Sequence, residues 1–467
     1  MPDFRAEASS TGSRYSVPGS DIDAPERPGR LNVRPLITIV AIALAVKFAI
    51  FGLSIGTSMS LSVPNAENWQ DFSLAYMPAA AALKNGFLPY AAFFYAYPPL
   101  FLYAQTAFSY LPLPSWSGAI PLVAADALTV VPIYLIAGKF WGERNSILAS
   151  ALFILAPTNL YYVDYLWLNP SLTTLFLMVS IYLLIEGRYD LSAFTLAVSI
   201  GFKQTALFAL PVILAVMWKG QRGRSGAVRY LLLVAFICVL VSLPYLVISP
   251  GAYLASIFLV PPDLWDSGLP SNYFQIGVGT GTAVSFNTLD WLTSKWALLS
   301  AGVYSPATLA LPAFIFFIPS AYSWVYSTSS VLSMAGYLVI SVGFVLVLRG
   351  VWKRGSVDQT DLLRYVLCAM LLVFTFYPLY KYYVVGLIPV LVLLARNRRD
   401  MVGFFAFSFV LMLVPRYFAS WVLLIALVWL LRRFSVTRRD EIKSQAVSSE
   451  RIGSGLGGSR PLRFDQT

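Results

Sequence analysis

The sequence predicts an all-α, polytopic membrane protein. Hydrophobic residues make up 58% of its 467 residues, charged residues make up only 12%, and the mean hydropathy is +0.70. A soluble fold of this length cannot bury so much apolar surface. The apolar residues form continuous blocks of roughly 17–22 residues, which is the length of a membrane-spanning helix and not of a transmembrane β-strand. We therefore predict about 12 transmembrane helices, with a range of about 11–14.

The net charge of +11 and the absence of histidine narrow the possible functions. Lysine and arginine cluster in short connections between apolar blocks, as the positive-inside rule predicts, so no nucleic-acid partner is expected. Without histidine, acid–base chemistry must use carboxylates, lysine or tyrosine. No phosphate-binding glycine-rich loop and no His/Cys metal spacing occurs. We therefore predict no cofactor and no metal site, although a metal bound by carboxylates would leave no sequence signature.

The first apolar block, 35–57, follows a polar segment over 1–34 that is predicted to be disordered. A polar connection of about 40 residues then leads to the second block, which is far longer than the usual turn between adjacent helices. Its alanine-rich centre, 79–83, predicts a short helix lying at the membrane interface. The second block is predicted to begin at Pro98, because proline is favoured in the first turn of a helix.

This connection, 58–97, carries the residues most typical of an active site. Asp71 alone reads as a solvated loop acid, but its surroundings favour a catalytic role. Tyr90, Tyr97 and the neighbouring prolines predict a rigid rim at the membrane surface, although tyrosine is also common at any membrane interface. Of these residues, only Asp71 is predicted to take part in chemistry.

Ten further apolar blocks complete the predicted count, at about 117–138, 146–162, 169–185, 191–218, 228–248, 328–348, 362–378, 382–395, 401–414 and 417–431. The Lys and Arg counts place the N-terminal segment and a disordered tail, 435–467, in the cytoplasm. They place the connection after the first block and a long loop over 251–305 outside. These assignments agree only if the block interrupted at Lys203 is one broken span. Residues 306–434 then form a C-terminal transmembrane module.

Charged residues inside apolar blocks are costly and indicate function by default. Lys203 is the clearest case, and we expect it to neutralise a lipid phosphate or to pair with an acid; the alternative is a lysine that reaches to the interface. Asp126 and Asp164 also lie within or beside blocks, and a structural hydrogen bond between helices is an equally good reading of Asp126. Lys381 and Arg416 are predicted on the outer side, where they could form an anion site together with Lys203.

Five segments resemble, in order, those of the polyprenyl-phosphate-sugar-dependent membrane glycosyltransferases of the GT-C type, which include the dolichyl-phosphate-mannose and -glucose transferases. They are an external acid (Asp71) followed by LKNGFLPY and YAYPPLFLY, AADALTVVPIYLIAG with its internal acid, YLWLNPSLTTLFL, SIGFKQTALFALPVIL and PLYKYYVVGLIPVL. The Phe-Lys-Gln segment at 202–204 is the most specific match. Trp167 and Leu168 depart from the family pattern, and Lys381 stands where members often carry His or Arg. The resemblance covers residues 35–250 well and the remainder loosely.

The resemblance implies a GT-C-like fold with interfacial helices in the first external loop. It also implies an inverting enzyme at the cell membrane that moves a hexose, such as mannose, from a polyprenyl phosphate to a lipid-linked or glycan acceptor. Asp71 would be the general base. The residues expected to bind substrate are Lys203, Gln204, Lys381, Tyr97, Tyr90, Asn169, Asp164 and Arg416. The alternatives are a membrane transporter or lipid flippase and a non-catalytic membrane subunit.

Overall fold

The structure is a computed structural model that describes residues 33–64, 71–90, 95, 97–220, 223–250, 253–254, 257, 329–353, 359–376, 381–395, 398–414, 419 and 422–432. All regular elements in these ranges are helical, which confirms the predicted all-α class. The helices are α1 (Val33–Gly56), α2 (Met77–Lys84), α3 (Pro99–Ser109), α4 (Ile120–Leu128), α5 (Val130–Ile154), α6 (Pro170–Ile185) and α7 (Tyr189–Phe202). They continue with α8 (Leu210–Lys219), α9 (Gly223–Ile248), α10 (Ser329–Lys353), α11 (Gln359–Phe376), α12 (Ile388–Leu394), α13 (Arg398–Leu413) and α14 (Val422–Arg432).

The chain is a membrane protein. In the described ranges, three helical runs are long and apolar enough to cross a bilayer, namely Val33–Gly56, Ser115–Tyr165 and Gly223–Ile248. The last of them, α9, leaves large apolar side chains such as Leu232 and Phe236 exposed, as a lipid-facing helix does. The total of about 12 spans remains a prediction.

Two breaks interrupt the long helical runs, one at Gly142 between the predicted blocks 117–138 and 146–162, and one at Lys203 within block 191–218. Gly142 has a φ of 80° and a ψ of 174° inside α5, a backbone conformation that glycine adopts readily because it has no Cβ. Lys203 is extended, with a φ of −158° and a ψ of 131°, and separates α7 from a 3₁₀ helix (Gln204–Ala209) and α8. The predicted interruption of block 191–218 is therefore confirmed.

Several predicted boundaries need correction. The interfacial helix is longer than predicted: a π-helix (Phe72–Tyr76) continues directly into α2, and Pro78 occupies the first turn of α2. The second block becomes helical at Pro99, one residue later than predicted. Helix α1 starts at Val33, inside the segment predicted to be disordered.

Other predictions fall on residues that the structure does not describe. These are residues 1–32, the tail 435–467, nearly all of loop 251–305, the part of the predicted C-terminal module before residue 329, and Arg416. The domain boundaries and the side of the membrane on which each loop lies also remain predictions.

The site is positioned by contacts among the first nine helices. Helix α1 packs on α4 and α5, and α6 packs on α7, which in turn packs on α9. The π-helix Leu160–Tyr165 lies against α1, and the 3₁₀ helix Lys381–Leu387 lies against α6. The polar connection after α1 is thereby brought to the break at Lys203.

Candidate active site

Asp71 immediately precedes the π-helix Phe72–Tyr76 and is only 9% exposed. Its Oδ2 accepts a hydrogen bond from the Tyr382 hydroxyl at 3.1 Å and a longer one from the Tyr76 hydroxyl at 3.4 Å. Burial raises the pKa of Asp71 from 3.8 to about 6; the Tyr382 hydrogen bond, the charge of Lys203 and the Tyr76 hydrogen bond oppose that rise. A carboxylate with a pKa near neutrality suits a general base.

Lys203 is 2% exposed and lies in a cage of aromatic rings. Its Nζ donates a hydrogen bond to Asn169 Oδ1 at 2.7 Å. The ammonium also lies 3.6 Å from the ring centroid of Tyr383, 4.8 Å from that of Tyr382 and 5.3 Å from that of Tyr97. Aromatic faces attract a cation most strongly when it is removed from water. Tyr382 therefore contacts both charged groups, with its hydroxyl on Asp71 and its ring on Lys203.

Tyr90 supports Tyr97 and does not contact Lys203 through any described interaction. The Tyr90 hydroxyl donates to the Tyr97 backbone carbonyl, and its ring packs edge-on against Tyr245 and Tyr253 near the end of α9. Tyr90 has a φ of 67°, which is unfavourable for a bulky residue. Strained residues of this kind persist only where the surroundings hold them.

Asn169 and Gln204 flank Lys203 but face different partners. Asn169 directly precedes α6, and while its Oδ1 accepts from Lys203, its Nδ2 is buried with no hydrogen-bond partner among the described residues. Gln204 Nε2 donates to the Ile257 carbonyl at 3.2 Å, beyond the end of α9. Asn169 is therefore the amide that faces the lysine.

Three residues predicted for the site have other surroundings. Lys381 Nζ donates to the carbonyls of Met412 at 3.1 Å and Val414 at 2.7 Å. These carbonyls lie at the C-terminal end of α13, where a cation is favoured. Asp164 pairs with Lys47 at 3.0 Å. Arg416 lies outside the described residues.

Sequence reasoning missed Tyr382, Tyr383 and Lys47. The two tyrosines follow Lys381 in a segment that was selected for its lysine, and no local signal shows which of the three side chains faces Asp71. Lys47 carried a signal that was overlooked, a lone charge inside the apolar block of α1. The Lys47 Nζ lies 2.5 Å from Asp126 Oδ2. Asp126 therefore makes a polar contact between helices, which was one of the two roles predicted for it.

A carboxylate cluster for a metal is not formed by the described residues, since no three or more His, Cys, Asp or Glu side chains come together there. Asp71 is instead a carboxylate that accepts hydrogen bonds from two uncharged tyrosine hydroxyls. The Lys203 ammonium lies against the ring of one of these tyrosines, Tyr382. Such a pair can accept a proton at one end and stabilise a developing anion at the other.

One protein-family model matches part of the chain. Residues 153–260 match the model of the ALG3 protein family. No curated protein sequence is significantly similar to the chain.

Solved structures show only distant similarity. The apo oligosaccharyltransferase of Archaeoglobus fulgidus is 14% identical with a TM-score of 0.42, covering 82% of this chain and 55% of that one. The same archaeal enzyme, AglB, in complex with an inhibitory peptide and a dolichol-phosphate gives 14% identity and a TM-score of 0.43, with the same coverage. ArnT from Cupriavidus metallidurans in the apo state is 14% identical, with a TM-score of 0.34 and coverage of 83% and 77%.

The chain spans about half the length of the oligosaccharyltransferase. The matched segment, 153–260, contains Asn169 and Lys203 and also Asp164. The resemblance that the sequence predicts is confirmed: the chain is similar over residues 153–260 to the ALG3 protein family of GT-C glycosyltransferases.

Proposed function

We propose that the chain is an inverting membrane glycosyltransferase. It transfers a hexose, such as mannose, from a polyprenyl-phosphate donor to a hydroxyl of a lipid-linked or glycan acceptor on the outer face of the membrane. The similarity to the ALG3 protein family, a family of dolichyl-phosphate-mannose-dependent mannosyltransferases, supports the reaction class and the choice of mannose. In this proposal the chain crosses the membrane many times, with both termini in the cytoplasm.

Asp71 is the general base of the proposed reaction. Its carboxylate takes the proton of the acceptor hydroxyl while the acceptor oxygen attacks the anomeric carbon, and the bond between that carbon and the phosphate oxygen breaks. The polyprenyl phosphate leaves with the electron pair, so the configuration inverts. A phosphate monoester leaves readily without protonation, which explains how a chain without histidine can perform the reaction with one base.

Lys203 is the proposed phosphate-binding residue. Its ammonium has only one hydrogen-bond partner among the described side chains, Asn169, so it retains donors for a phosphate oxygen. Asn169 Nδ2 and the hydroxyls of Ser171 and Thr173 are buried and have no partner in the described part of the chain, which makes them further candidate donors. A cation and neutral donors together stabilise the charge that develops on the leaving phosphate.

The site must open before the donor binds. Lys203 lines a cavity with Thr173 and Tyr383, but the volume of this cavity is only about 10 Å³, enough for a single water molecule. A sugar phosphate does not fit this cavity, so in this proposal the aromatic side chains around Lys203 move apart when the donor binds. The proposal accordingly includes a closed state, in which Asp71 and Lys203 are both removed from water.

The observation that carries the proposal is the buried Asp71 carboxylate, which shares Tyr382 with Lys203. It is tested by purifying the wild type, Asp71→Asn and Lys203→Met, and by measuring transfer from mannosyl and glucosyl polyprenyl phosphates to lipid-linked acceptors. We expect Asp71→Asn to lower the rate by roughly 10²–10⁴-fold, the usual contribution of a general base. Asp190→Asn is the matched control, because Asp190 is 58% exposed and pairs only with Arg229 among the described residues.

Each alternative function has its own outcome in this experiment. Full activity of Asp71→Asn would refute the assignment of the base. A wild type that transfers no sugar, but moves a polyprenyl-linked sugar between the leaflets of a liposome, would establish a flippase. A third outcome is a wild type that shows neither activity alone and supports transfer only when a second protein is added. If that transfer does not depend on Asp71, the chain is a non-catalytic subunit.

A further inference from the structure

A second cluster of buried charges shares no residue with the contacts of Asp71 and Lys203. Lys47 Nζ lies 2.5 Å from Asp126 Oδ2 and 3.0 Å from Asp164 Oδ2, and Asn159 Nδ2 donates to Asp126 Oδ1 at 2.7 Å. The side chains of the lysine and both acids are 0% exposed. Such groups are costly within a membrane protein, so a cluster of three requires an explanation.

The cluster joins α1, α4 and the chain between α5 and α6. Lys47 comes from α1 and Asp126 from α4, while Asp164 and Asn159 come from residues 159–169. Among the described residues, the ammonium of Lys47 at 3.0 Å is the one close polar partner of the Asp164 carboxylate. The ion pair is therefore the main polar restraint on Asp164.

Residues 159–169 contain two unusual backbone features. A π-helix runs over Leu160–Tyr165, and Trp167 follows with a φ of 58°, which is unusual for a bulky side chain. π-Helices are rare and occur frequently at functional sites. A conformation of this kind persists only where contacts outside the segment hold it.

The other end of this segment contacts the proposed active site. The Trp167 ring packs edge-on against Phe72, the residue next to Asp71, with 5.1 Å between the ring centroids. Asn169 Oδ1 accepts the hydrogen bond of Lys203. Between the cluster and these contacts, Tyr165 bonds the chain that follows α1, with its hydroxyl 2.7 Å from Thr57 Oγ1.

We propose that the Lys47–Asp126–Asp164 cluster is a positioning device for catalysis. It fixes the strained segment so that Trp167 supports the helix beginning at Asp71 and Asn169 holds Lys203 in place. These three residues touch neither substrate nor reacting atoms in the proposed mechanism, so they act through others. The inference rests on the proposed function for its effect on rate, but its effect on the Asp71 environment can be measured without activity.

The test removes the charges without leaving any of them unpaired. The variant Lys47→Met/Asp126→Asn/Asp164→Asn is neutral and close in shape to the wild type, and neutral replacements of buried ion clusters are generally tolerated. The matched control is Asp190→Asn/Arg229→Met, which removes an exposed ion pair. Asp126→Asn alone, which leaves one carboxylate opposite Lys47, is the second variant if the triple variant does not fold.

Two measurements separate positioning from a purely structural role. The first is kcat and KM for sugar transfer, for which we expect kcat to fall roughly 10-fold or more while KM changes little, because misplaced groups slow the chemical step. The second is the titration of the Asp71 carboxyl, read as the infrared difference between each protein and its Asp71→Asn counterpart. The titratable groups facing Asp71 among the described residues are Tyr76, Tyr97, Tyr382 and Lys203. Loss of the correct Lys203 position should raise the Asp71 midpoint by roughly 1 unit.

A folded triple variant with unchanged kcat and an unchanged Asp71 midpoint would overturn the proposal. If the wild type transfers no sugar, the proposed function fails, but the infrared midpoint still decides the positioning role. A shifted midpoint in the cluster variants, with no shift in the exposed-pair control, supports it in either case.

Discussion

Asp71→Asn is expected to stabilise the folded protein while it slows transfer. Burial holds the Asp71 pKa at about 6, against an ordinary value of 3.8. The folded state therefore binds this proton more tightly than the unfolded state, so the stability present below about pH 4 is lost as the pH rises through about 6. The gap of about 2 pH units corresponds to about 3 kcal/mol at pH 7 and above.

The asparagine should recover most of this free energy. Tyr382 and Tyr76 both donate to one oxygen of Asp71, Oδ2, and the amide oxygen of asparagine can accept in its place. The substitution therefore removes the buried charge and keeps both hydrogen bonds. Asparagine is also close to aspartate in volume, so no cavity is created.

Thermal denaturation of the purified protein in detergent measures this effect at a series of pH values. We expect Asp71→Asn and wild type to melt together near pH 4, with the variant melting several degrees higher above about pH 7. Asp190→Asn should follow the wild type throughout, because its carboxylate is exposed. An Asp71→Asn melting temperature equal to or below that of the wild type at about pH 8 would refute the argument, since it would mean that the Asp71 carboxylate is not desolvated.

Three further predictions concern the rate and the packing beside the site. The rate of transfer should increase with pH with a midpoint of about 6. Tyr382→Phe should raise that midpoint by roughly 1 unit, because it removes the closest hydrogen bond to the Asp71 carboxylate. The pH–rate profiles of the two proteins measure both effects. Lys203→Met should lower kcat by roughly 10²-fold, and Lys203→Arg should fail to restore it because the larger guanidinium needs more room than the rings around Lys203 leave; steady-state kinetics on folded protein decides this. Gly201→Ala should lower the melting temperature, because its Cβ would lie 2.6 Å from Leu100 Cδ1 and force that side chain to shift, and the same substitution should cost less in a Leu100→Ala background.

The features predictable from the sequence are those with local causes. A lysine inside an apolar block marks a break in a span, and the break occurs at Lys203. An alanine-rich stretch between prolines predicts a short helix, and α2 includes it. The match to the ALG3 protein family over residues 153–260 includes the segment around Lys203.

Features that depend on the rotation of a helix were not predictable. In the 3₁₀ helix Lys381–Leu387, successive side chains are about 120° apart, so Lys381 and Tyr382 point in different directions. The sequence identified this segment and favoured Lys381, but its ammonium caps the end of α13, and Tyr382 faces Asp71. The rotation is set by packing against α6, which no pattern within the segment encodes.

The use of tyrosine at this position is consistent with the proposed base. A lysine or arginine bonded directly to Asp71 would lower its pKa by roughly 1–3 units and make it a weaker base. Tyrosine hydroxyls orient the same carboxylate without adding a charge, and burial raises the pKa of Tyr76 so that it remains a donor. The proposed partner of the leaving phosphate, the Lys203 ammonium, lies against the ring of Tyr382. The hydroxyl of the same tyrosine donates the shorter of the two hydrogen bonds to the Asp71 carboxylate. The tyrosine between them lets the site keep a base with a pKa near 6 and an ammonium in the same buried region.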